Sequence, residues 1–88
     1  MTEKNFITII QSRLQLAFSP RFLEVVDESK AHVGHVAHQQ GGRHFAIIIA
    51  ADCFKDVPRL LAHRQIYALF EDMMPHQIHA LKIRVIPN

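Results

Sequence analysis

Histidine is the residue type whose number and spacing stand out in this chain. Seven of the 88 residues are histidine, and His32, His35 and His38 recur at every third position within the stretch 27–45. A neutral imidazole nitrogen is a common ligand for transition metals. On a loop, however, this spacing alone fixes no geometry. A metal site and three solvated loop histidines are therefore both compatible with the pattern.

A fourth histidine, His79, lies at the start of the last predicted strand. Strand alternation puts it on the same face as Leu81 and Ile83, so we expect it to be half-buried and to need a hydrogen-bond partner. A structural hydrogen bond and a metal ligand are the two interpretations. If the strand order is as predicted below, residues 29–42 and His79 share one edge of the domain.

The other candidates for chemistry are basic side chains and the single cysteine. His63 and Arg64 can contact phosphate together, although His63 can equally be a hydrogen-bonded or solvated helix residue. Lys82 and Arg84 can add phosphate contacts. His44 is predicted to be a structural histidine at a strand edge. No Ser/His/Asp set, paired carboxylates or phosphate-binding glycine loop is visible, so we expect no enzymatic activity.

Cys53 is predicted to be a small buried residue rather than a reactive thiol. As the only cysteine, it excludes an intrachain disulfide and a zinc site built on CxxC pairs.

Hydrophobic periodicity predicts the elements that must position these side chains. A helix, two strands, a second helix and a last strand are expected at 3–17, 21–28, 43–52, 55–75 and 77–87. In the second helix, Asp56 is a candidate cap and Pro75 the stop. Its buried side is expected to include Leu60, Leu61 and Ile66.

The order of the elements predicts the sheet. The first two strands are expected to be antiparallel, and the helix before the third favours a parallel crossover connection. The result is a single α+β domain over residues 1–88, with α-β-β-α-β order and a three-stranded mixed sheet. Both helices are expected on one face, which leaves the face carrying Lys82 and Arg84 open.

Composition and the N-terminal residues limit the partners and the cellular location that we expect for this domain. The formal net charge of +2 is compatible with nucleic acid but gives weak support for it. No apolar run approaches the roughly 20 residues of a membrane span, so no membrane association is expected. The N-terminal residues do not resemble a signal peptide, which favours a cytoplasmic protein.

Four motifs together resemble the BolA family. They are FLEVVDES (22–29), HF (44–45), HRQIYALF (63–70) and IHALKI (78–83), and they occur in the family's order over nearly the whole chain. The resemblance implies a fold similar to a class II KH domain, in agreement with the predicted element order.

The resemblance also implies a partner and a cofactor. BolA-like proteins pair with monothiol glutaredoxins and share a bridged 2Fe–2S cluster, held on the other side by the glutaredoxin cysteine and glutathione. By the HAL motif His79 is one ligand, and the position after DES makes His32 the second, with His35 as the alternative. Two ligands cannot hold a cluster, so the isolated chain is expected to be cofactor-free, as a monomer or weak homodimer. The expected role is iron–sulfur cluster trafficking or iron and redox sensing.

The family suggests an alternative function as well. Some bacterial members are DNA-binding transcriptional regulators of stress response and cell morphology. Here His63, Arg64, Lys82 and Arg84 would contact the nucleic acid. The sequence departs from the family pattern at Ala62, where a basic residue is often found, and this removes one positive charge from that surface.

Overall fold

The computed structural model of the chain describes residues 3–28 and 43–87. Helix α1 spans Glu3–Phe18, strand β1 Phe22–Asp27, strand β2 His44–Ala50, helix α2 Arg59–Ala68 and strand β3 Ala80–Val85. A short 3-10 turn, Asp52–Phe54, lies between β2 and α2. Neither helix in these two ranges has the length and hydropathy of a membrane-spanning segment.

The three strands form one mixed sheet in the order β1-β2-β3. β1 and β2 are antiparallel, with Phe22 opposite Ala50, whereas β2 and β3 are parallel, with His44 beside Ala80. The apolar strand β2 is therefore central. The α+β class, the α-β-β-α-β order and both strand directions are confirmed.

The core lies between the helices and one face of the sheet. On α1, Phe6, Ile10 and Leu14 recur every fourth residue and are buried, because this spacing keeps them on one helical stripe. They join a cluster that includes Phe45 and Ile47 of β2. The same periodicity predicts Ala17 on this surface, but Ala17 is exposed, so the buried stripe ends at Leu14.

Helix α2 begins later than predicted. Its first residue is Arg59 and Pro58 occupies the N-cap position, without a side-chain hydrogen bond. Asp56 instead adopts a left-handed backbone angle, φ 63°, in the preceding turn. The prediction of Asp56 as the cap is therefore wrong.

Helix α2 also ends earlier than predicted, at Ala68 rather than at Pro75. The N–H groups of Leu69 and Phe70 bond to carbonyls only three residues back, which tightens the chain into turns through residue 77. These turns bury Phe70 and Met73 in the core.

The buried stripe of α2 differs from the predicted one. Ala62, Ile66 and Phe70 are buried at intervals of four, whereas Leu60 and Leu61 are 64% and 47% exposed. One or two residues from Ala62 correspond to rotations of about 100° and 200° around the helix, so both leucines lie off the stripe. The prediction that they are buried is wrong.

The prediction for Cys53 is wrong as well. The 3-10 turn buries Phe54 and leaves Cys53 exposed, with its sulfur 3.9 Å from the Phe18 carbonyl oxygen.

Arg13 joins α1 to the turns after α2. Its guanidinium donates to both carboxylate oxygens of Asp72, at 2.7 and 3.0 Å, and to the Leu69 carbonyl at 2.8 Å. These hydrogen bonds lower the pKa of Asp72 from its ordinary value of 3.8. They also raise the pKa of Arg13. The paired charges fix the two elements relative to each other at the surface.

Candidate functional site

The start of β2, the start of β3 and the end of β1 meet at one edge of the sheet. The Glu28 N–H donates to the His44 carbonyl at 2.8 Å, and the His79 N–H donates to the Arg43 carbonyl at 2.7 Å. Residues 28 and 43 flank the segment 29–42, so the two residues on either side of it lie at the same edge of the sheet as His79. The sequence predicted this juxtaposition from strand direction alone. We call it the histidine edge, defined by Glu28, Arg43, His44 and His79.

His79 is exposed, which contradicts the prediction that it is half-buried. Strand β3 begins only at Ala80, and His79 lies in a bend before it. The alternation that puts Leu81 in the core therefore does not extend back to His79. Its backbone is fixed by the bond to Arg43, while its imidazole faces outward.

The His79 ring contacts the ring of His44. The two ring centroids are 5.2 Å apart and the planes are inclined by 45°. His44 is half-buried and is the first residue of β2. Sequence reasoning treated it as structural only. The signal for its proximity to His79 was the parallel register, because Ala80, the first residue of β3, pairs with His44 and so puts His79 next to it.

The segment that carries His32 and His35 lies outside the described residues, so the choice between these two ligands stays a prediction. Among the residues that the structure does describe, no group of three or more His, Cys, Asp or Glu side chains is arranged to hold a metal ion. The histidine edge itself offers imidazole nitrogens, which suit borderline metals such as iron.

The structure separates the predicted nucleic-acid residues into two groups. His63 and the exposed Arg64 lie on α2, on the covered side of the sheet. Lys82 and Arg84 are exposed on the opposite face of β3. Lys82 also has a partner, since its ammonium lies 3.4 Å from a carboxylate oxygen of Glu28. Lys82 therefore does not share a surface with His63 and Arg64, whereas Arg84 also lines a cavity with His63.

A cavity of about 350 Å³ between α2 and β3 adds a residue that sequence reasoning missed. Its walls include Arg59 and His63 of α2 and Arg84 of β3. Arg59 and His63 are four residues apart, a spacing that puts both on one side of a helix and that was visible in the sequence. Within the described residues, the His63 Nε2 atom is buried without a hydrogen-bond partner.

Comparison with known proteins gives a consistent result. A family model described as BolA-like protein matches residues 14–88. The DNA-binding transcriptional regulator BolA of Haemophilus influenzae is 33% identical over 79 residues, covering 88% of this chain and 72% of that protein. The Escherichia coli protein of the same name is 35% identical over 74 residues, covering 84% and 68%. The solved structure of the BolA domain of SufE1 from Arabidopsis thaliana is similar with a TM-score of 0.80 and 31% identity, covering 99% and 94%.

Proposed function

Since this chain belongs to the BolA-like family, as its four motifs predicted, we propose that it is a non-enzymatic adaptor for a monothiol glutaredoxin. In the complex, the two proteins share a bridged 2Fe–2S cluster with glutathione. The role follows from the histidine edge together with the family's partnership. Cluster trafficking or iron and redox sensing is the cellular process it would serve.

The observation that carries the proposal is the exposure of His79 at the edge where residues 28 and 43, which flank the segment 29–42, also lie. A shared ligand must reach outward to a cluster that lies between two proteins, and a buried histidine cannot do so. The second ligand is assigned to His32 by its position after the DES motif of the family, with His35 as the alternative. Residues 28 and 43, which flank the segment that carries both histidines, lie at this edge. The donor set fits, since imidazoles coordinate one iron in Rieske-type centres and thereby raise the potential.

His44 is assigned a positioning role. Its ring lies against the His79 ring, so it restricts the orientations that the outward-facing imidazole can adopt. Side chains next to metal ligands commonly fix ligand orientation in this way. Loss of His44 should weaken the complex without abolishing it.

The test is anaerobic cluster reconstitution with a monothiol glutaredoxin and glutathione, followed by visible circular dichroism and size-exclusion chromatography. We expect a heterodimer with a spectrum different from that of the glutaredoxin alone, and loss of that spectrum in His79→Ala. His32→Ala and His35→Ala identify the second ligand. His76→Ala is the matched control, because His76 is exposed in the turns after α2.

An unchanged spectrum in His79→Ala would contradict the ligand assignment. A native protein that forms no complex with any monothiol glutaredoxin would overturn the adaptor function itself.

A second candidate function is DNA binding, favoured by the names of two of the relatives, which are DNA-binding transcriptional regulators. In this case we propose that Arg59 and Arg84, which line the cavity between α2 and β3, contact phosphates together with Arg64 of α2. Fluorescence anisotropy with duplex DNA over a salt series tests this. Arg64→Ala should weaken binding to all sequences and reduce the salt slope by about one, while His79→Ala should leave it unchanged. Absence of salt-dependent binding would remove this candidate.

A further inference from the structure

The sheet face opposite the helices carries apolar side chains that no part of the described chain covers. Phe22 and Val26 of β1 are 47% and 37% exposed. Between the outer strands, this face continues through the partly buried Ile48 of β2, with Ala46 and Ala50 on either side only 8% and 6% exposed. We call it the open face. A mixed sheet can leave one face in water, so exposure alone does not identify an occupant.

The charged side chains on this face indicate what it can bind. The strand register puts Glu24 opposite Ile48 and Ile48 beside Arg84. One row across the face is therefore acidic on β1, apolar on β2 and basic on β3. Within residues 3–28 and 43–87, neither Glu24 nor Arg84 takes part in an ion pair, in contrast to Lys82, which pairs with Glu28.

We propose that the open face binds a second copy of this chain through a twofold axis. If the axis runs parallel to β2 and passes above Ile48, β1 of each copy lies over β3 of the other. Glu24 of each copy then faces Arg84 of its partner, and the ion pair is formed twice. Ile48 packs against Ile48 at the centre, as an isologous interface requires.

The neighbouring rows are compatible with this arrangement. Extending the β2–β3 register by one residue puts Ile86 beside Ala50, so Phe22 of one copy meets Ile86 of the other. Val26 meets the aliphatic part of Lys82, whose ammonium is directed to Glu28 at 3.4 Å. Stacked sheets keep their strands within about 30° of each other, which preserves the central contacts.

The same charges exclude the other simple twofold arrangement. An axis across the strands would put β1 over β1, so that Glu24 faces Glu24 and Arg84 faces Arg84. Like charges held together at an interface oppose association. The order of charges along the row therefore selects the axis parallel to β2.

The expected dimer is weak. Stable interfaces bury about 800 Å² per partner, and three short strands spaced about 4.8 Å apart offer less than that. We expect a dissociation constant in the high-micromolar to millimolar range. The inference rests on the strand register and the charges of the open face and not on the proposed function, although the next row of this face begins at His44, whose ring contacts His79.

Charge exchange tests the inference by sedimentation equilibrium of the full chain, over a concentration series that reaches the millimolar range. We expect wild type to show a monomer–dimer equilibrium. Glu24→Arg and Arg84→Glu should each be monomeric, because each produces two like-charged pairs. An equimolar mixture of the two variants should dimerise again, as should the double variant, because opposite charges then face each other.

Three further variants keep the test decisive. Glu71→Arg changes the charge by the same amount in the turns after α2 and should dimerise as wild type does. Glu24→Gln and Arg84→Gln should weaken association even if a charge reversal impairs folding, which far-ultraviolet circular dichroism monitors. A wild-type chain that is monomeric throughout, or single reversals that dimerise like wild type, would overturn the proposal. Failure of the mixture of folded variants to associate would do the same.

Discussion

Ile47 and Ile48 are identical side chains at consecutive positions of β2, yet they lie in different environments. Ile47 is 0% exposed and belongs to the core cluster under the helices. Ile48 is only partly buried and lies on the open face. The difference between the two isoleucines shows that the two faces of the sheet have different roles. The covered face stabilises the fold, while the open face and the histidine edge are available for binding.

At the histidine edge, the backbone and the side chain of one residue, His79, have different roles in the same way. The backbone of His79 contributes to the fold through its bond to Arg43 at 2.7 Å. The side chain of His79 is exposed, and its ring contacts the ring of His44. A residue of this kind can change its side chain with little effect on folding. Four substitutions test whether the covered face stabilises the fold and the exposed side chains do not, and the first is on the covered face.

The largest expected effect is that of Ile47→Ala. Removal of a buried isoleucine side chain leaves a cavity and should lower the free energy of unfolding by about 2–5 kcal/mol. Ile48→Ala removes the same atoms from the open face and should lower it by less than half as much. Urea denaturation of both variants measures the difference. Equal losses would show that the two faces contribute equally to the fold.

The next effect is that of Tyr67→Phe. The Tyr67 hydroxyl donates a hydrogen bond to the Leu81 carbonyl and so ties α2 to the edge strand β3. Its loss should lower the free energy of unfolding by about 1 kcal/mol. Tyr67→Phe retains the ring, so the urea-denaturation midpoint reports the hydroxyl alone. An unchanged midpoint would mean that packing, without this bond, holds β3 against α2.

A smaller effect, confined to a pH range, is expected for Asp72→Asn. The Arg13 guanidinium lowers the pKa of Asp72 from 3.8, so this pair stabilises the folded state above that pH. The contribution is lost as the pH falls through the lower pKa of the folded state. Wild type should therefore have a slightly higher Tm than Asp72→Asn at neutral pH, and the two should converge in strong acid.

The matched control for this pH dependence is Glu71→Gln, which removes the same charge from the neighbouring residue. It should show no such convergence. A difference between wild type and Asp72→Asn that persists unchanged into strong acid would argue against the ion pair as its cause.

The smallest effect on stability is expected for His79→Ala. Because the imidazole is exposed, the free energy of unfolding should stay within about 0.5 kcal/mol of wild type. The same variant should lose the changed cluster spectrum with a monothiol glutaredoxin. Thermal denaturation of His79→Ala, alongside the reconstitution experiment, checks both results. A large loss of stability would place His79 with the covered face and remove its role as an outward ligand.

Local periodicity determined those parts of the structure that depend on neighbours along the chain. The four-residue spacing of Phe6, Ile10 and Leu14 was enough for α1, and the alternation of Leu81 with Lys82 was enough for the two faces of β3. The element order then determined the strand directions, because a helix between two strands of one sheet favours a parallel pair. Strand direction in turn brought residues 28 and 43, which flank the segment 29–42, to the same edge as His79.

Tertiary structure alone decided features that depend on contacts between distant residues. The bounds of α2 depend on how Phe70 and Met73 reach the core through tight turns, and these bounds determine the exposure of Leu60 and Leu61. The exposure of His79 depends on the residue at which β3 begins to pair with β2. The alternation of side chains within β3 does not determine that residue. The separation of His63 from Lys82, the contact of His79 with His44 and the position of Glu24 and Arg84 in one row arise in the same way. Each is set by register and packing between elements, and these are fixed only when the whole sheet and its helices come together.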